Sequence, residues 1–99
     1  MKYNYEDEYL VSGIDDDELE NVENLAISLV AKLDIKDELY VEKLVKAQVY
    51  LSLALTQLDN ERMEAKYKAY KNEYNHYIAL AKSNTSIKGS VTSISIARG

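Results

Sequence analysis

The chain has 99 residues, a formal net charge of −5, nine tyrosines, no Phe or Trp, no Pro, three Gly and no Cys. That length reads as one domain with a modest core, and the lack of Cys excludes a disulfide framework, a thiolate nucleophile and a zinc finger. Scarce Gly and absent Pro favour long helices, and tyrosine, an apolar ring with a polar tip, suits half-buried surfaces such as interfaces.

The charge is unevenly spread. Residues 1–24 carry nine acids (Glu6, Asp7, Glu8, Asp15, Asp16, Asp17, Glu18, Glu20 and Glu23) against Lys2 alone, whereas from Arg62 onward seven bases face only Glu64 and Glu73. Such polarity favours association of copies through opposite charge; two solvated faces are the plainer reading. The first apolar cluster, Tyr9, Leu10 and Val11, is too short and too acidic in its flanks for a secretory signal.

Residues 1–15 show no clean period and read as an arm or a short helical turn, ordered only where its tyrosines find a surface. A first helix is expected from Asp16 to Leu33. Leu19, Val22, Leu25, Ala26, Leu29, Val30 and Leu33 form one apolar stripe, with Asp15 to Asp17 as cap and the acids through Glu23 at the positive end of the helix dipole. Asp34 is expected to cap a second helix, with Asp37 and Glu38 in its first turn. Its run from Leu39 to Leu58, LYVEKLVKAQVYLSLALTQL, is apolar on nearly every face, which marks a central, buried helix. Its first half carries Glu42, Lys43, Lys46 and Gln48, which argues against a membrane span. Only two other stripes are on hand to cover it, so a face around Tyr50, Leu53 and Leu58 is expected to remain for a subunit contact.

Asp59 or Asn60 caps a third helix, expected from Glu61 to Lys82. Met63, Tyr67, Tyr70, Tyr74, Tyr77 and Ala81 step along it as a heptad-like seam, with Ile78 beside it, to pack on the other helices or on another copy. Ser83 to Ser90 reads as a polar connector. In the tail, Val91, Thr92, Ile94 and Ile96 alternate with serines in the manner of a strand. No partner strand is evident, so the tail is either disordered or paired by β-augmentation with another chain, and the cost of leaving its apolar side chains in water favours augmentation. The expected fold is therefore all-α, a three-to-four-helix bundle over residues 16–82 with an N-terminal arm (1–15) and a polar linker and β-prone tail (83–99).

Candidate chemistry is sparse. Glu73 and His76, three apart, share a helix face, but di-iron bundles need that pair twice, and His76 is the single histidine. Asp15-Asp16-Asp17 lacks the ligand alternation of a calcium loop and reads as helix-start chemistry. No phosphate loop, nucleophile elbow or Cys–His pair is present, so neither catalysis nor a cofactor or metal is expected. Lys66, Lys68, Lys71, Lys82, Lys88 and Arg98 near the tyrosines give slight support to nucleic-acid binding. Overall acidity and the regularity of the tyrosine seam oppose it.

The segments AQVYLSLAL (Ala47–Leu55), the Asp59-Asn60 break, AKYKAYKNEYNHYIALAK (Ala65–Lys82) and KGSVTSISIARG (Lys88–Gly99), after an acidic first helix, resemble the head–tail connector, or adaptor, proteins of tailed bacteriophages. The clear Gly-containing turn that some members carry after the first helix is missing here. The resemblance implies a virion protein made in the host cytoplasm. It assembles as a ring, usually of twelve copies, beneath the portal, extends the DNA channel without sequence-specific DNA binding, and docks the tail or the next connector. It also makes Val91, Thr92, Ile94, Ile96 and Arg98, with Tyr67, Tyr70, Tyr74 and Tyr77, the expected interface. The alternative is a helical regulatory module, antitoxin-like or an acidic inhibitor, whose acidic half mimics a nucleic-acid surface.

Overall fold

The computed structural model describes residues 1–89, with side chains through residue 83. Its elements are helices: α1 (Glu8–Val11), α2 (Asp16–Ala31), α3 (Glu38–Leu55) and α4 (Glu61–Gly89). No strand occurs among the described residues, and the β-prone segment Val91–Ala97 lies outside them. Short connections turn each long helix back along the one before it. α3 sits in the middle, with α2 and α4 packed against it and α1 closing a third side.

The core is one cluster drawn from all four helices: Leu10; Leu19, Ala26 and Val30; Leu44, Val45, Val49, Tyr50, Leu53 and Ala54; and Met63. Its centre is the near-continuous buried run of α3. Two stripes do not suffice to cover that run, and the N-terminal arm supplies the third cover. Tyr50 and Leu53, expected on a residual contact face, are therefore only 6% and 5% exposed. Exposure is confined to the ends, at Leu39, Leu55 and, in the turn beyond, Leu58.

Helix boundaries follow local chemistry. Asp15 caps α2, its Oδ1 accepting the Glu18 N–H at 2.8 Å. α2 ends in a tightened turn, where the N–H groups of Lys32, Leu33 and Asp34 donate to carbonyls three residues back. Asp34 then adopts φ 56°, the left-handed conformation that stops a helix where glycine is usual. This corrects the role expected of Asp34. It terminates α2, and Asp37 caps α3 by accepting the Leu39 N–H at 2.9 Å. Asn60 caps α4, its Oδ1 accepting from Arg62 at 2.9 Å and Met63 at 3.4 Å.

Two further expectations change. The inward seam of α2 is Leu19, Glu23, Ala26 and Val30, flanked by Val22 and Ile27. Leu25 (59% exposed) and Leu29 (37%) stand off it. The stretch from Ser83 expected as a connector instead continues α4 to Gly89. No Gly or Pro intervenes before Gly89, and propagating an existing helix is far easier than starting one. At 1.5 Å per residue α4 is about 43 Å long against about 27 Å for α3, so its C-terminal turns outrun its partner, and it sets the 50 Å long dimension of the molecule.

Asp37→Ala is expected to lower stability by about 1 kcal/mol through loss of a cap, whereas Asp34→Gly is expected to raise it by relieving the left-handed backbone. Urea denaturation measures both, and the reverse ranking returns the capping role to Asp34.

Candidate functional site

The most constrained chemistry lies where the arm meets the body. Glu23 is an acid on the apolar seam of α2, one turn from Leu19 and from Ala26, and it is only 2% exposed. Its carboxylate is fully engaged by the arm. Oε1 accepts the Lys2 backbone N–H at 2.7 Å, and Oε2 accepts the Tyr3 N–H at 3.0 Å and the Tyr5 hydroxyl at 2.6 Å. On α3, the Tyr50 hydroxyl accepts the N–H groups of Glu6 at 2.9 Å and Asp7 at 3.2 Å. On α4, Lys66 Nζ donates to Asp7 Oδ2 at 2.8 Å, and the Tyr70 hydroxyl donates to the same oxygen. Asp7 Oδ1 meanwhile caps α1 by accepting the Leu10 N–H at 3.3 Å.

Aromatic contacts complete the seat. Tyr5 stands edge-on to Tyr50, with ring centroids 5.9 Å apart, and Tyr50 lies 4.6 Å from Tyr70. The Arg62 guanidinium and the Lys66 ammonium lie over the Tyr9 ring at 4.8 and 5.6 Å. Leu10 enters the core beneath them at 2% exposure. The arm is thus seated along its length on three helices. The charge gradient, expected to draw copies together, is partly spent within the chain on Asp7–Lys66 and on Glu6–Lys46 at 3.1 Å.

Protonation follows from these partners. Burial alone pushes the Glu23 carboxyl up, but the Tyr5 hydroxyl and the backbone N–H groups of Lys2 and Tyr3 outweigh it and hold the group below the usual glutamate range. Asp7 behaves alike: burial raises it, while Lys66 and Tyr70 bring it below the usual aspartate range. Tyr5 and Tyr70 are pushed up by burial and then by the carboxylates they bond, so each proton stays on its phenol. A carboxylate whose lone pairs are so occupied is poorly placed to take a proton from a substrate. This constellation is built to hold a chain segment.

The expected interface tyrosines are placed on the chain's own core. Tyr67, Tyr70, Tyr74 and Tyr77 are half-buried against it, with Tyr70 in the arm seat and Tyr77 6.3 Å from Tyr40. Val91, Thr92, Ile94, Ile96 and Arg98 lie outside the described residues. His76 is exposed beside Tyr77, and among the described residues no three His, Cys, Asp or Glu side chains converge as metal ligands. A shallow hollow of about 180 Å³ between arm, α3 and α4 is lined by Glu6, Lys43, Lys46, Tyr50, Glu73 and Tyr77. It is smaller than the roughly 300–1,000 Å³ of small-molecule sites. No described helix is long and apolar enough to cross a membrane.

Glu23 and Asp7 were not singled out by sequence, and Tyr50, expected on a face left for a subunit contact, instead holds the arm's backbone. For Glu23 a signal existed, a lone acid in phase with Leu19, Ala26 and Val30.

Because both carboxyl groups titrate lower in the folded chain than in the unfolded one, they contribute stability that is complete above the ordinary carboxylate range and is lost as pH falls through their depressed values. Glu23→Ala is expected to cost about 2–3 kcal/mol by stranding the arm's donors, and Glu23→Gln to flatten the acid limb of a stability-against-pH curve measured by urea denaturation. An unchanged acid limb in Glu23→Gln removes Glu23 from this role. Comparison of the chain with family models, curated proteins and solved structures finds no match, so what the arm and body serve is argued from their chemistry.

Proposed function

We propose that the chain is a structural assembly protein, a head–tail connector of a tailed bacteriophage that forms a ring beneath the portal, extends the DNA channel and docks the tail. The observation that carries the reading is the apolar strip of Leu25 and Leu29, one turn apart on the outer side of α2, which the chain's own helices leave exposed. It supports a contact between subunits. Three features agree with it: the length of α4 beyond α3, the resemblance of Ala47–Gly99 to connectors, and a tail that lacks a partner strand in its own sequence. In this reading Val91–Ala97 pairs on assembly with the portal or a neighbouring subunit, and DNA passes an acidic wall without being read. The exposed acids Asp16, Asp17 and Glu20 also suit the second reading, an acidic regulatory module that binds one partner.

The paired change Leu25→Asp and Leu29→Asp is expected to cost about 1–2 kcal/mol through poorer helix propensity and lost partial burial of Leu29, to leave the chain folded by circular dichroism, and to prevent ring formation with the portal protein in negative-stain images. Deleting Val91 to Gly99 is expected to abolish portal docking while circular dichroism keeps its helical signal. A discrete low-order complex with no ring, or normal assembly of both variants, overturns the connector reading.

A further inference from the structure

The arm is held by groups of the body whose contacts do not depend on which chain supplies the arm. Glu23, Tyr50, Lys66 and Tyr70 reach residues 18 to 63 positions away in sequence. The covalent link between arm and body is the turn Ser12–Gly13–Ile14 alone. Ser12 and Gly13 are exposed, and a Cβ placed on Gly13 would meet nothing within 4 Å, so the middle of the hinge is free of packing, while Ile14 anchors its far end on the core.

An arm that simply left would exchange the hydrogen bonds of a carboxylate, two phenols and an ammonium for water and open the space of Leu10 in the core. Together those changes are costly, so the seat requires an occupant. The segment that matches every group is the same arm, whether from this chain or from another copy. Exchange leaves the whole contact set intact and changes only the hinge and the entropy of association, which is the condition under which copies swap elements at low cost.

We infer that the seat formed by Glu23, Tyr50, Lys66 and Tyr70 takes residues 2–11 of a second copy of this chain, so that copies are joined by exchanged arms. The partner is recognised by two consecutive backbone N–H groups and a phenol at Glu23, by an aspartate at Lys66 and Tyr70, and by a leucine three residues beyond that aspartate. Reciprocal exchange closes a dimer, and one-way passing closes a ring. The inference therefore holds or fails apart from the connector reading.

The chain has no cysteine, so single-cysteine variants report the exchange directly. Glu6 and Lys46 pair across the arm–α3 boundary at 3.1 Å. Full-length Glu6→Cys and Lys46→Cys proteins, each checked for unchanged helicity, are mixed at high concentration, briefly warmed to let arms open, and treated with a short bismaleimide. A mixed covalent dimer is expected, several-fold above a control that pairs Glu6→Cys with Lys36→Cys, and it is expected to fall on dilution before warming. Tyr9→Cys with Arg62→Cys repeats the test at the other end of the arm. If the mixtures give no dimer above control while the double variant Glu6→Cys/Lys46→Cys crosslinks within one chain at every concentration, the arm serves only its own body and the inference is overturned.

Discussion

The buried Glu23 carboxylate is the constraint on which the rest of this structure depends. A carboxylate at 2% exposure is tolerable only when fully hydrogen-bonded, and every hydrogen bond found for it comes from residues 2, 3 and 5. Folding of the helical body and seating of the arm are thereby coupled. The body cannot place Glu23 on its inward seam without the arm, and the arm, with one helical turn of its own, cannot order without the body.

That coupling explains how so short a chain covers an apolar central helix. α2 and α4 each bury part of α3, and the arm closes the remainder above Tyr50 with Tyr5 and Leu10. Tyrosine suits this place better than phenylalanine. Its ring packs on Tyr50 and Tyr70, while its hydroxyl satisfies a carboxylate or a backbone N–H that would otherwise be buried unpaired. Among the described residues no buried side-chain polar atom lacks a partner, so the polar groups of the seat add specificity without leaving desolvation uncompensated.

The polar arm contacts and the apolar outer strip divide the surface into two kinds of chemistry. The first demands a particular peptide and reads its backbone and its aspartate. The second, Leu25 and Leu29, asks only for another apolar surface. The connector proposal draws on the second and the arm-exchange inference on the first.

Much of the fold was legible in the sequence, because capping and periodicity are local. Asp15, the Asp59-Asn60 break, the apolar run of α3 and the tyrosine seam of α4 each follow from residues within a few positions of one another. Periodicity did not decide which of two overlapping stripes on α2 faces inward. Leu25 and Leu29 fit a helical period as well as Glu23 does, and hydrophobicity alone chose the leucines. Nor could it assign Asp34 and Asp37, two aspartates at one helix junction that differ only in backbone conformation. The arm seat was invisible because its partners lie 18 to 63 positions apart. Only the tertiary structure, by bringing an acid on α2, a phenol on α3 and a lysine on α4 to one strip of backbone, made those residues a site.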